Sequence, residues 1–308
     1  MTDDIVVIVP ARQAAREIGS ALASVAGQSV QPAEIVVVDD GSTDGTAEVA
    51  RRWEHLLPLT VLRHDEPAGA GAARRRAIAA SRSPLLALLD ADDVWLPGHL
   101  ATLADIHQHH GGIVTADAYR WLPAKGVLRA THHDHNPVPA PSRQAGEILR
   151  RNYVFVGSLF SRRSYLSAGG FRDGVAEDWD LWIRMIRHGA TVHATRRPTV
   201  LYRLSPSSVS NRPDAIDGYI AVLERALAEA GSERERDVVA ASLRRMRARR
   251  HLARAQAAAA RGDRHDARAE GAATAGGPAR MKVEALGLRV CPRVSARVGR
   301  ALRQRYWG

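Results

Sequence analysis

The chain has 308 residues, 45% hydrophobic and 25% charged, the balance of a folded protein rather than of a disordered or fibrous one. A single cysteine, Cys291, rules out an internal disulfide or a thiolate metal cluster. No apolar run approaches the roughly 18 residues that span a bilayer, and Asp3 and Asp4 stand where a secretory leader is cationic, so a cytoplasmic location is expected. The net charge of +11 is lopsided: residues 213–308 hold 20 Lys and Arg against 11 Asp and Glu, a basic tail on a near-neutral body.

Ile5-Val-Val-Ile-Val9 predicts a strand buried on both faces and ended by Pro10. Residues 14–26 predict a helix with Ile18, Leu22 and Val25 on one stripe. A second buried strand follows at Glu34–Asp39, then the turn-rich Asp40-Gly-Ser-Thr-Asp-Gly45, a helix from about Thr46 and a strand at Leu59–Arg63. Ala70–Ser81 reads as helix and Pro84–Leu89 as a strand running into Asp90. This alternation predicts βαβ units: an α/β fold with a mostly parallel, Rossmann-like sheet flanked by helices. Further on, Gly112–Ala118 reads as a strand, residues 119–142 as a Pro- and His-rich excursion, Tyr153–Ser161 as a return to the sheet and Glu177–His188 as a helix. Tyr202–Pro213 reads as a loop. The expected division is a body of residues 1–212 and a basic, helical, Ala/Arg-rich extension of residues 213–308, with breaks at Gly262-Asp263, Gly276-Gly277-Pro278 and Pro292.

Open parallel sheets collect ligands beyond the carboxyl ends of their strands. Three polar features fall there: Pro10-Ala11-Arg12, Asp39-Asp40-Gly-Ser-Thr-Asp44 and Asp90-Ala91-Asp92-Asp93. Carboxylates without thiolates suit a hard cation, Mg²⁺ or Mn²⁺, and such a cation would let an acidic pocket accept a diphosphate.

The run Val36-Val-Val-Asp-Asp-Gly-Ser-Thr-Asp-Gly-Thr46 resembles the signature of family-2 glycosyltransferases, enzymes of GT-A fold. Leu88-Leu-Asp-Ala-Asp-Asp93 followed by Pro97 resembles their metal-binding D-x-D segment. Ala73-Arg74 resembles part of their Ala-Arg-Asn helix, and Glu177-Asp178-Trp-Asp-Leu-Trp182 their Glu-Asp catalytic segment. Order and spacing agree over roughly residues 4–210, and four such pieces together are far more specific than a lone D-x-D. The resemblance implies an inverting transfer from a nucleoside-diphosphate sugar, a UDP-sugar first among them, to an acceptor hydroxyl. The setting it implies is polysaccharide or glycoconjugate biosynthesis. It places Pro10, Ala11 and Arg12 at the base pocket with Asp39 and Asp40, Asp40 accepting from the base imide. It sets Arg74, Asp90 and Ala91 beside the ribose or donor sugar, Asp92 on a Mn²⁺ or Mg²⁺ ion with Asp93 nearby, and Asp178 as general base with Glu177 its competitor. Three positions depart from the pattern: Arg12 stands for an aromatic, Arg75 for an Asn and Ser205 for a His.

Plainer readings stand beside these. Asp39 and Asp40 also suit a turn and helix cap, and Glu177 suits the N–H groups of its own helix start. Trp182 is expected in the core and Trp95 near the acceptor. His132-His-Asp-His135 is read as a solvated loop rather than a zinc site, lacking helical ligand spacing. Residues 283–307 carry apolar positions among arginines that suit peripheral contact with an anionic membrane, at its inner face; nucleic acid is not expected, for no reader motif accompanies the charge. Two alternative functions are a sugar-phosphate nucleotidyltransferase, which calls for a Gly-rich basic loop after the first strand, and a nucleotide-sugar-binding scaffold without turnover.

Overall fold

The computed structural model describes residues 4–123, 126–205 and 215–274, with Met281 and Leu286. The chain divides into two compact units, Met1–Ser208 and Val209–Gly308.

The first unit begins with β1 (Ile5–Ala11), α1 (Ile18–Ala26), β2 (Glu34–Asp40), α2 (Thr46–Arg51), β3 (Leu59–His64), α3 (Ala70–Ala79) and β4 (Leu85–Leu88). β1 pairs in parallel with β2 and β4, and β2 with β3, so four strand ends point the same way. The apolar runs make this possible: Ile5, Val6, Val7, Ile8 and Val9 are all 0% exposed, which an alternating strand could not achieve. Ile5, Val7 and Val9 share a cluster with Ile18, Leu22 and Val25 of α1, while α3 packs on β1 and β2.

The second half comprises β5 (Val94–Trp95), α4 (His99–His110), β6 (Ile113–Leu122), β7 (Gly126–Thr131), α5 (His132–His135), α6 (Pro141–Ile148), β8 (Ser158–Ser161), α7 (Arg162–Ser167), α8 (Glu177–Arg187) and β9 (Val192–Arg203). The sheet runs β3-β2-β1-β4-β8-β6-β9-β5 with β7 paired to β6. β8 enters antiparallel to both β4 and β6, so the parallel half continues into a mixed half. β9 reaches through Tyr202 and Arg203, where a loop was expected. Its pairing with β6 shifts register on either side of Asp117, which partners Pro198; proline cannot donate to a ladder and is tolerated at such an irregularity. The His132–His135 segment is a turn of helix rather than a solvated loop. Thr131 and Asp134 form a reciprocal capping box around it, and the His132 ring lies 5.1 Å from Phe155 and 6.3 Å from Tyr202. Trp95, expected near the acceptor, is instead 2% exposed and stacks on buried His99 at 4.3 Å. Trp182 is fully buried.

The second unit holds α9 (Ala215–Ala228), α10 (Glu233–Arg261) and α11 (Arg264–Ala273). Ser232 caps α10, left-handed Gly262 closes it, and Asp263 caps α11, as the Gly-Asp pair predicted. Arginines of α10 pair within the unit, Arg247 with Glu224 at 2.8 Å and Arg250 with Asp217 at 3.0 Å. Leu252, Ala255, Ala258, Ala259 and Ala267 form its small apolar cluster. The amphipathic stretch 283–307, the Gly276–Pro278 break and Pro292 lie outside the described residues, apart from Leu286. Among the described residues no helix is long and apolar enough to cross a membrane.

Candidate active site

The loop after β1 is held by the signature that follows β2. The N–H of Gln13 donates to Ser42 Oγ at 2.9 Å, that of Ala14 to Thr46 Oγ1 at 2.9 Å and that of Ala15 to Asp44 Oδ2 at 3.0 Å. The loop so held passes through a turn at residues 15–17, and α1 starts at Ile18 rather than at residue 14. Gln13 adopts a left-handed φ of 50°. Arg12 stands exposed at the loop's edge, whereas Ala11 and Ala91 turn their methyls into the core, so these alanines offer a ligand only backbone. Pro10 is half-buried at the strand end.

Asp39 and Asp40 end β2 and are 1% and 3% exposed. Asp39 Oδ1 accepts the Ser42 N–H at 3.1 Å, and Oδ2 lies 3.6 Å from Arg63 Nε. Asp40 is more fully engaged: Oδ1 meets His64 Nδ1 at 2.7 Å and the Ala68 N–H at 2.8 Å, while Oδ2 accepts the Gly69 N–H at 2.8 Å. Burial works against the Asp40 charge, yet these donors outweigh it and hold the carboxyl below the usual range. Asp40 thus fixes residues 64–69, and a base imide would have to share an oxygen with them.

Arg74 gathers the other acids. From buried positions on α3 its Nη2 donates to Asp90 Oδ1 at 2.7 Å and its Nη1 to Glu177 Oε1. One guanidinium therefore ties the end of β4 to the start of α8. Gly71 makes the reach possible: a Cβ there would lie 2.7 Å from the Arg172 carbonyl and 3.1 Å from Glu177 Cγ. Glu177 takes this guanidinium rather than the helix amides expected for it. Arg75, unexplained in the sequence, binds Asp173 Oδ1 at 2.6 Å and the Phe171 carbonyl at 3.3 Å, fastening the loop before α8. Ala176, immediately before Glu177, is left-handed at φ 63°. Among the described residues, the two non-glycine residues with positive φ, Gln13 and Ala176, both sit in loops of this site, where strained backbone concentrates.

Asp178 is half-buried beside Glu177, and burial followed by the Glu177 charge pushes its carboxyl up to about 6 against the pull of Arg74. Its Oδ1 accepts the Trp179 N–H at 2.7 Å and its Oδ2 the Asn152 side-chain amide at 3.0 Å. Asn152 carried no sequence signal. In the acidic run, Asp93 is 2% exposed and accepts the Arg203 N–H at 2.9 Å, pinning β9; burial and then Asp90 raise its pKa. Asp92 is half-buried, and burial, then Asp90, raises it to about 6, with Arg203 a partial offset. Arg203 Nε donates to the Asp92 carbonyl at 3.0 Å, and its guanidinium lies over the Trp121 ring at 4.2 Å. Ser205 follows two residues on, half-buried.

Among the described residues, no three His, Cys, Asp or Glu side chains form a metal cage. The donor set nonetheless fits Mg²⁺ or Mn²⁺ held jointly with a ligand. Such ions are bound through one or two carboxylates plus phosphate oxygens and waters, and a cation would relieve the charge that burial disfavours on Asp92.

The model of glycosyl transferase family 2 matches residues 6–170, just over half the chain. A succinoglycan biosynthesis protein, ExoU of Rhizobium meliloti (strain 1021), is 34% identical over 204 residues, 61% of this chain and 58% of its own length. Glycosyltransferase AglE of Haloferax volcanii is 36% identical over 200 residues, covering 63% of this chain and 60% of its own. The chain therefore spans less than two-thirds of either relative. In structure it resembles S. aureus TarS 1–349 in complex with UDP-GlcNAc, with a TM-score of 0.64 at 17% identity over 98% of this chain and 92% of that one. It also resembles the mannosyltransferase PcManGT of Pyrobaculum calidifontis in complex with GDP-Man and Mn²⁺, with a TM-score of 0.60 at 20% identity over 96% and 86%. At such identity the likeness shows the fold, a GT-A-like mixed sheet with flanking helices.

Proposed function

Because the chain belongs to glycosyltransferase family 2, we propose that its first unit transfers a sugar from a nucleoside-diphosphate sugar to an acceptor hydroxyl with inversion. The observation that carries this reading is the Arg74 bridge, which brings Asp90 and the Glu177-Asp178 pair together at the ends of β4 and α8. The donors named for the structural relatives, UDP-GlcNAc and GDP-Man, support a nucleotide sugar here, with a UDP-sugar preferred. The ExoU likeness supports a place in polysaccharide biosynthesis.

In this reading Arg12, Pro10 and Asp39 bound the base pocket, with Asp40 shaping it, and Asp90 meets the ribose or sugar. Asp178 takes the acceptor hydroxyl's proton as the oxygen attacks the anomeric carbon. The carbon's bond to the diphosphate breaks in line, and its electron pair leaves with the diphosphate. Asp178 suits this task because burial keeps its carboxyl near the pH at which a base works well. Arg74 holds Glu177 so that Asp178, about 100° further round the helix, is the acid presented to the acceptor. Asp92 would hold Mg²⁺ or Mn²⁺, which when bound neutralises charge on the leaving diphosphate. Asp93 supports the turn through Arg203. A nucleotidyltransferase would carry a Gly-rich loop after β1; here that loop is Arg12-Gln-Ala-Ala15, anchored to Ser42 and Thr46.

Thermal melting with UDP-glucose, UDP-GlcNAc and GDP-mannose, with and without Mn²⁺, tests this. One base should raise the Tm in a metal-dependent way. Asp92→Asn should lose that rise, while Asp178→Asn keeps it and loses transfer by roughly 10²–10⁴-fold. No response to any nucleotide sugar would refute the reading; a full Tm response with no transfer or donor hydrolysis would leave the non-catalytic scaffold in its place.

A further inference from the structure

We propose that Asn152 is a positioning residue for Asp178, holding the base carboxylate in its working orientation from outside its own helix; this rests on Asp178 being the base. Asn152 lies in the segment between α6 and β8. Its Nδ2 donates to Asp178 Oδ2 at 3.0 Å.

An amide side chain can be turned over, so the direction of that bond has to be argued. Asn152 Oδ1 accepts the Val154 N–H at 3.2 Å, a donor that only the oxygen can satisfy. The nitrogen therefore faces Asp178. Its backbone is held in turn: Asn136 Nδ2 donates to the Asn152 carbonyl at 2.6 Å. The Asn136 amide is itself fixed, because its Oδ1 accepts from Arg151 Nη1, while Arg151 Nη2 donates to the Pro137 carbonyl at 2.8 Å. Arg151 also lies over the Tyr153 ring at 5.5 Å. Asn136 closes α5, so a capped helical turn, an arginine and two amides form a brace ending on the base.

The brace complements what α8 supplies. The Trp179 N–H occupies one lone pair of Oδ1 and Asn152 one of Oδ2. The carboxylate is thereby fixed in its plane, with further lone pairs left for an acceptor proton. The charges around it are Glu177 and Asp90, which disfavour its ionisation, and Arg74, which favours it; Asn152 adds a neutral donor that favours the ionised form, as Arg74 does. A carboxylate in place of that amide would turn attraction into repulsion without changing the size of the side chain.

The test compares Asn152→Asp with Asn152→Ser, which is smaller and neutral, following nucleoside diphosphate released from the donor sugar (transfer to water) against pH. Asp178 is also read directly through the carboxyl resonances of Asp-labelled protein, with Asp178→Asn identifying its signal. Asn152→Asp should move the Asp178 titration and the acidic limb of kcat up by about one pH unit or more. It should lower kcat near neutrality about tenfold and leave donor KM and the donor-induced rise in Tm unchanged. Asn152→Ser should lower kcat several-fold with the same split. A titration and acidic limb that stay in place, with kcat within about twofold of the parent, overturn the role of Asn152 while Asp178 remains the base. Release undiminished in Asp178→Asn removes the base assignment itself, and the positioning proposal with it. Should turnover to water be too slow, the carboxyl titration decides alone.

Discussion

Asp40 and Asp178 are both enclosed acids at the candidate site, yet the fold treats them oppositely. Asp40 has two backbone N–H groups and His64 around it, and its carboxyl is held low. Asp178 has one amide side chain and one backbone N–H, with Glu177 pressing on it, and its carboxyl is raised to about 6. Asp92 resembles Asp178 in this respect. An acid whose bonds are filled by its own chain is part of the scaffold. On the proposed reading, the raised acids Asp178 and Asp92 are where a substrate proton and a cation belong, whereas Asp93, also raised, is spent on the Arg203 N–H. The contrast assigns roles that the letters Asp-Asp and Asp-x-Asp do not distinguish.

The largest way to break the contrast is Arg74→Met, which strips the guanidinium from Asp90 and Glu177 and adds repulsion beside Asp178. Breaking a buried pair by removing one partner costs roughly 3–5 kcal/mol, and denaturant unfolding should show it together with loss of donor binding. A loss below about 1 kcal/mol would mean that Arg74 does not bind the two ends together.

Asp40→Asn comes next. An amide cannot accept from all three donors, so stability should fall by about 1–3 kcal/mol. The pH dependence gives the sharper reading. Because the Asp40 pKa is lower in the fold than in the unfolded chain, its contribution is full above the ordinary carboxylate range and fades as pH falls through the folded value. Asp40→Asn should therefore flatten the acid side of the stability curve. An acid limb as steep as the parent's would show that Asp40 is not the satisfied acid of the pair.

The smallest effect is expected at Ala176→Gly. Left-handed backbone costs an alanine roughly 1–2 kcal/mol, offset in part by the freedom glycine brings to the unfolded chain. The variant should gain under about 1 kcal/mol in melting experiments. A loss instead would mean that the Ala176 methyl packs usefully and that the loop is not strained.

The parallel half of the fold is plain in the sequence, because wholly apolar runs such as Ile5–Val9 and Ile35–Val38 suit a strand covered on both faces and little else. The mixed half is not. β9 carries exposed Arg196 and Arg197 and then Pro198 through a bulged pairing, and β8 is only four residues long. Arg74, Asp90 and Glu177 are legible as single positions, but their convergence on one guanidinium depends on packing between α3 and α8. The His132 turn reads as a loop although Thr131 and Asp134 stand at capping-box spacing, because the neighbouring prolines point toward irregular chain. Asn152 is invisible for a plainer reason: an isolated Asn has no periodicity, and its partners lie 16 and 26 residues away.

Gly71 carries a consequence for anyone who reshapes this pocket. On the proposed reading, the distance from the donor-side acid Asp90 to the Glu177-Asp178 pair is gauged by a missing methyl group. Any side chain at residue 71 acts as a shim, wedging α3 away from the start of α8 by the thickness of a carbon atom. Libraries meant to widen substrate choice would do well to leave this position alone and vary the rim around Arg12. Conversely, Gly71→Ala, whose Cβ would press on the Arg172 carbonyl and on Glu177, is a compact tool for setting α3 and the start of α8 slightly ajar without replacing a charged residue.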